Sequence, residues 1–189
     1  LAVGSWFAVN FQTMRVAASI LLLAGLATLD AATLERLTID EMAQQATAVV
    51  RGRVGEARAV RFGALVYTLH RFEAEEQWKG APIAGLEVAV PGGTYEGVTY
   101  SFGGTPALKA GEEYLLFLWT GPSGRTQIVG LSQGVFRVVR HSDSVIVTRT
   151  EAEDSVFAGE DGSGSSQALQ TTLGELGARV SAALEINPK

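Results

Sequence analysis

Tyr114-Leu115-Leu116-Phe117-Leu118-Trp119 is apolar at every position. Side chains on a strand alternate between two faces, so this run makes a strand with something to bury on both sides, as in the middle of a sheet. Gly121-Pro122-Ser123-Gly124 is the turn that follows it. Further strands are expected downstream over residues 126–129, 135–139 and 145–148. Upstream, Leu86-Glu87-Val88-Ala89-Val90 alternates as a half-buried strand should, and Pro91-Gly92-Gly93 stops it.

Further upstream, residues 48–54 read as a first strand, with Gly52 marking a bulge or a close backbone approach. Gly63-Ala64 separates its extension from a long strand over residues 65–78, which Lys79-Gly80-Ala81-Pro82 ends. The long strand changes its apolar parity. Leu65, Tyr67 and Leu69 share one face, and Phe72, Ala74 and Trp78 the other. A bulge near His70-Arg71 would bring both halves onto one core, where Trp78, Phe72, Leu116 and Val88 meet.

A helix is expected at each end. Thr38 and Glu41 have capping-box spacing, with Leu37 and Met42 placed to staple the helix start, and the helix fades near Thr47. Leu169, Leu173, Leu176, Val180 and Leu184 repeat at helical spacing and predict a last helix from about Ser166. Many short strands between turns, with no βαβ alternation, predict a mostly β barrel or sandwich.

Composition narrows the chemistry. The 189 residues suit one domain. The net charge of −5 argues against a nucleic-acid binder, which would carry a basic stripe. There is no cysteine, which excludes disulfides, thiolate zinc sites and cysteine nucleophiles. The two histidines, His70 and His141, exclude a histidine cluster. His70 shares strand parity with Phe72 and reads as a hydrogen-bonded histidine at the barrel rim. His141 reads as solvated. No cofactor is implied.

The N-terminal region points to export. Met14-Arg15 precedes an apolar run over residues 16–29, with small residues beyond it, as in a secretory signal. Residues 14–31 are read as the signal and residues 1–13 as an upstream segment, with cleavage after Ala27 or Ala31. Losing residues 1–31 removes one base, Arg15, and one acid, Asp30, so the net charge is unchanged. Export without cysteine suits a bacterial periplasm or exterior, and no membrane association is expected after cleavage. The remaining divisions are a barrel domain with its leading helix over 32–150, an acidic Gly/Ser loop over 151–166, and a helix and tail over 167–189.

Few motifs carry chemistry. Gly130-Leu131-Ser132-Gln133-Gly134 matches the G-x-S-x-G of serine hydrolases, which needs a strand-to-helix turn. Here a strand follows, and the only downstream histidine, His141, lies almost beside Asp143. Asp161-Gly162-Ser163-Gly164-Ser165 is only faintly like a calcium loop. Glu75-Glu76 and Glu112-Glu113 are neighbours on strands, so each pair points to opposite faces. The segment with an interaction flavour is the glycine-rich loop over residues 92–104. Its Tyr95, Tyr100 and Phe102 could anchor a partner or plug the barrel end.

Four stretches together carry a resemblance. They are Ala46-Thr47-Ala48-Val49-Val50-Arg51-Gly52-Arg53-Val54; Tyr67, Phe72 and Trp78-Lys79-Gly80; Val88-Ala89-Val90-Pro91; and Gly111-Glu112-Glu113-Tyr114-Leu115-Leu116-Phe117. Over residues 46–140 the chain resembles the OB-fold of tissue inhibitors of metalloproteinases and netrin-type modules, and more closely exported bacterial proteins of that outline. The resemblance implies a small OB-like, closed or partly open five-stranded barrel and a protein partner, such as a secreted protease. It carries over no inhibitory residue, because the family's zinc-chelating N-terminal cysteine has no counterpart here. The expectation is an exported non-catalytic barrel that binds a protein. The alternatives are a small-ligand or glycan binder using the barrel mouth and, more remotely, a hydrolase using Ser132.

Overall fold

In the computed structural model, which describes residues 36–82, 84–149 and 169–186, the first element is the helix that the capping box demands. Helix α1 (Ile39–Gln45) starts where the Thr38 hydroxyl accepts from the Glu41 N–H at 3.2 Å and the Glu41 carboxylate accepts from the Thr38 N–H at 2.8 Å. It buries Ile39, Met42 and Ala43.

Ten strands follow among the described residues: β1 (Ala48–Phe62), β2 (Leu65–Lys79), β3 (Glu87–Pro91), β4 (Gly93–Tyr95), β5 (Val98–Tyr100), β6 (Glu113–Thr120), β7 (Thr126–Ile128), β8 (Val135–Arg140), β9 (Val145–Arg149) and β10 (Gln170–Thr172). Helix α2 (Leu173–Ile186) comes last. Strands β1-β2-β3-β7-β6 form a hydrogen-bonded ring that closes from β6 back to β1. Every step is antiparallel except β3 to β7. The ring is partly open because one edge of β6 serves two neighbours. Leu118–Thr120 pairs with β7, whereas Tyr114–Leu116 pairs with β8 and starts the branch β8-β9-β10. The chain is therefore mostly β, with a barrel-like, partly open core and a helix at each end, as its sequence predicts.

The apolar run on β6 serves two cores. Tyr114, Leu116 and Leu118 point into the barrel with Val54, Phe72 and Val88. Leu115 and Phe117 point the other way, where Met42 of α1 and Leu176 and Val180 of α2 cover the sheet.

The long strand β2 departs from expectation. Val88 and Val90 of β3 face the barrel interior, and their cross-strand partners are His70 and Thr68. Tyr67 and Leu69 lie on the outer wall with Ala89 and Val60. The two apolar faces thus supply different clusters, and Trp78 packs with the helices, away from Phe72. The bulge expected near His70-Arg71 lies on the partner strand. Val54 pairs with Phe72 and Ala57 with His70, so the extra residue is on β1. Gly52 does mark a close approach: a Cβ there would lie 2.1 Å from the Glu73 carbonyl oxygen.

At the C-terminal end, α2 starts at Leu173 after a short strand. A second capping box sets that start. The Glu175 N–H donates to the Thr172 hydroxyl at 3.2 Å, and the Thr172 N–H to the Glu175 carboxylate at 3.1 Å. Leu176, Val180 and Ala183 are buried, and Leu169, Leu173 and Leu184 pack beside them. The expected signal, upstream segment, acidic loop and Ser166 helix start lie outside the described residues. Among the described residues no helix is long and apolar enough to cross a membrane.

Candidate functional site

The glycine-rich segment after β3 folds back over one end of the barrel. It is a hairpin rather than a plain loop: β4 pairs with β5 through a turn at Glu96 and Gly97, where φ is 50° and 80°. Gly92 and Gly93 make the fold-back possible. Their φ values are 96° and 122°, a region that side chains rarely enter. A Cβ on Gly93 would lie 2.2 Å from the Thr68 hydroxyl, and one on Gly92 2.7 Å from the Tyr100 carbonyl oxygen. The Thr68 hydroxyl donates to the Gly92 carbonyl at 2.8 Å and the Gly92 N–H to the Val66 carbonyl at 2.8 Å. Farther along, the Thr105 hydroxyl donates to the Phe102 carbonyl.

Between this cover and the barrel end lies an open cavity of about 360 Å³. Thr68, His70 and Val90 form its floor, and Tyr100, Phe102 and Thr105 come from the cover. Among the described residues no Asp, Glu, Lys or Arg lines it.

His70 is the unusual member. It is 8% exposed, and its Nδ1 is buried without a hydrogen-bond partner. Burial pushes its pKa below the ordinary histidine value, which favours the neutral ring. The residue sits at the rim as expected, but the expected hydrogen bond at Nδ1 is not made. His141 is exposed beyond β8.

Of the three expected anchors, the fold brings Tyr100 and Phe102 to the cavity; Tyr95 is half-buried on β4 and does not line it. Phe102 is 40% exposed, and Val98 on the same hairpin is 53% exposed.

The Gly130–Gly134 motif forms a 3-10 turn over Leu131–Gly134 that leads straight into β8. Ser132 is buried, and its N–H donates to the Gly104 carbonyl at 3.0 Å. The Gln133 side chain accepts from the Leu37 N–H at 2.7 Å. The turn thus holds both the end of the cavity cover and the entry to α1.

Glu76 and Glu113, one glutamate from each pair, join a charged network on the outer face. Glu113, with a side chain 6% exposed, receives Arg51 at 2.6 Å and Arg140 at 3.0 Å. Glu76 receives Arg51 at 2.8 Å. Burial weighs against the charge on Arg51, but these two carboxylates more than offset it and raise its pKa. The Trp78 indole N–H, then Arg51, lower the pKa of Glu76. Alternation along single strands does not reveal this network, because its members come from β1, β2, β6 and β8. Among the described residues no group of three or more His, Asp or Glu is placed to hold a metal. The Asp161–Ser165 stretch lies outside them.

No protein-family model matches the chain, and no curated protein and no solved structure is detectably similar to it.

Proposed function

We propose that this chain is an exported, non-catalytic barrel that holds a small ligand in the mouth covered by the β4–β5 hairpin. One observation carries this reading: the cavity of about 360 Å³ sets the polar side chains of Thr68, His70, Ser101 and Thr105 among apolar ones. Its volume falls within the ~300–1,000 Å³ of small-ligand pockets, and such pockets place a few polar groups among apolar ones. A five-stranded, partly open barrel is also the architecture of OB-type domains, which use a sheet face and neighbouring loops for recognition. That supports the OB-like reading of the sequence.

A protein partner, such as a secreted protease, is the second reading. The exposed Val98 and Phe102 on the covering segment favour it. Such a partner would rest on the hairpin and leave the cavity floor untouched.

Imidazole nitrogen NMR tests the choice, because the chain has only His70 and His141 to assign. A small ligand in the mouth perturbs His70 and leaves His141 unchanged. A screen in which no small molecule moves His70, while a protein partner binds through Val98, would favour the second reading. The non-catalytic part of the proposal predicts that Ser132→Ala leaves ligand affinity unchanged. Covalent labelling of Ser132 by an active-site serine probe would reverse it. Export predicts that intact-mass measurement on secreted or periplasmic material finds a start between Thr28 and Thr33. A cytoplasmic product retaining residues 16–29 would defeat it.

A further inference from the structure

We infer that the ligand of the mouth cavity is a neutral carbohydrate, with one hydroxyl on His70 and a ring face against Phe102 or Tyr100. This inference rests on the small-ligand reading above.

The wall excludes the charged classes first. Among the described residues neither a cationic side chain nor a carboxylate lines the cavity. A phosphate, nucleotide or acidic sugar would enter without a counter-charge, and burying an unpaired charge is costly. An organic cation would likewise meet no carboxylate. A fatty chain fits poorly for the opposite reason. Thr68, His70, Ser101 and Thr105 place polar side chains around the space, and an alkyl group would cover them without replacing their hydrogen bonds to water.

What remains is a neutral ligand with many hydroxyl groups. His70 makes the match specific. In a neutral imidazole one nitrogen donates and the other accepts, according to the tautomer. A sugar hydroxyl does both, so it can pair with whichever nitrogen the ring presents in either tautomer. The Thr68 and Thr105 hydroxyls give their protons to the Gly92 and Phe102 carbonyls and so keep acceptor capacity for a sugar hydroxyl. Tyr100 and Phe102 supply the second half of the recognition. An aromatic face is electron-rich and its edge electron-poor, so it attracts the polarised C–H groups on the flat side of a pyranose. Phe102 lies over Gly92: a Cβ built on that glycine would be 3.5 Å from its ring. This places the ring beside the barrel floor, while its other surface stays partly open to solvent.

The test is a titration of the full chain with glucose, galactose, N-acetylglucosamine, maltose and cellobiose. Glucuronate, inorganic phosphate, AMP and laurate serve as the charged and apolar probes. Imidazole NMR follows the site, and calorimetry gives the affinity. The expected result is that at least one neutral sugar shifts His70 but not His141. Phe102→Ala, at an exposed position, should weaken that sugar by about tenfold or more, with an unchanged melting temperature. Tyr95→Ala should leave affinity unchanged. If only a charged probe or laurate moves His70, the carbohydrate assignment is wrong and the small-ligand reading stands. If no probe moves His70 at about 10 mM, a concentration that would reveal even millimolar binding, both fall.

Discussion

His70 sets burial against hydrogen bonding. Leaving a buried polar nitrogen unpaired costs on the order of 1–3 kcal/mol, and the fold bears this cost at Nδ1. The same burial has a pH signature. The folded pKa lies below the ordinary histidine value, so the unfolded chain takes up the proton first. Stability contributed by this site is therefore full above about pH 6.5, the unperturbed value, and is lost as pH falls from there toward the lower folded pKa. His70→Phe should flatten the dependence of the urea midpoint on pH in that window, whereas His141→Phe should leave it intact. An identical slope in wild type and His70→Phe would show that the imidazole is not desolvated in the fold. Glu41, held low by the Thr38 N–H, and Glu175, held low by the Thr171 hydroxyl, act in the more acidic carboxylate range. The rim position of His70 is legible from its shared parity with Phe72. The cavity beside it is not, because that space exists only once residues 92–108 fold back.

At the scale of elements, local chemistry was readable wherever it was self-contained. The Thr38–Glu41 box needs four consecutive residues and forms as written. The turn at Gly63-Ala64 and the run through β6 are equally local. Long-range pairing was harder to read. The second half of β1 contains Glu56, Arg58 and Arg61 and alternates only with the small Ala57 and Ala59 before Val60, a weak signal that supports no more than an extension of the first strand. It is a strand because β2 runs beside it to the hairpin tip. The register shifts along β1 and β2 bend the pair, and the face that β2 buries changes with the neighbour it meets. No single-strand parity argument could place Trp78 correctly. Gly52 is the exception that signalled a long-range contact from one residue. Gly52→Ala puts a methyl against the Glu73 backbone, which cannot rotate aside as a side chain could. The expected loss is about 1–3 kcal/mol, the usual cost of overpacking, read as a lower urea midpoint with an unchanged slope. A midpoint equal to wild type would mean that the β1–β2 crossing opens freely.

At the scale of the whole molecule, β6 is the wall shared by two cores. Phe72 and Val88 pack on its inner face, and Phe136, Met42 and Leu176 on its outer face. Where the helices stop covering that outer face, the Glu113 network takes over, and its arginines come from β1 and β8. Each layer therefore uses the same backbone for support, and neither can lose β6 and keep its own packing. This predicts one cooperative transition over the described residues. Phe72→Ala in the barrel and Phe117→Ala under the helices should each cost about 3–5 kcal/mol, as buried aromatic truncations do. Each should shift far-UV circular dichroism and tryptophan fluorescence together. Fluorescence is a fair witness to both regions: Trp78 packs with α2, and Trp119 lies at the far end of β6, 44% exposed. The discriminating outcome is a Phe117→Ala variant whose fluorescence change precedes its loss of strand signal. That would make the helices a separable layer on a barrel that stands alone. Coincident curves would tie the cavity mouth to the helices, so a substitution under α2 would loosen the cavity through stability, with no contact to it.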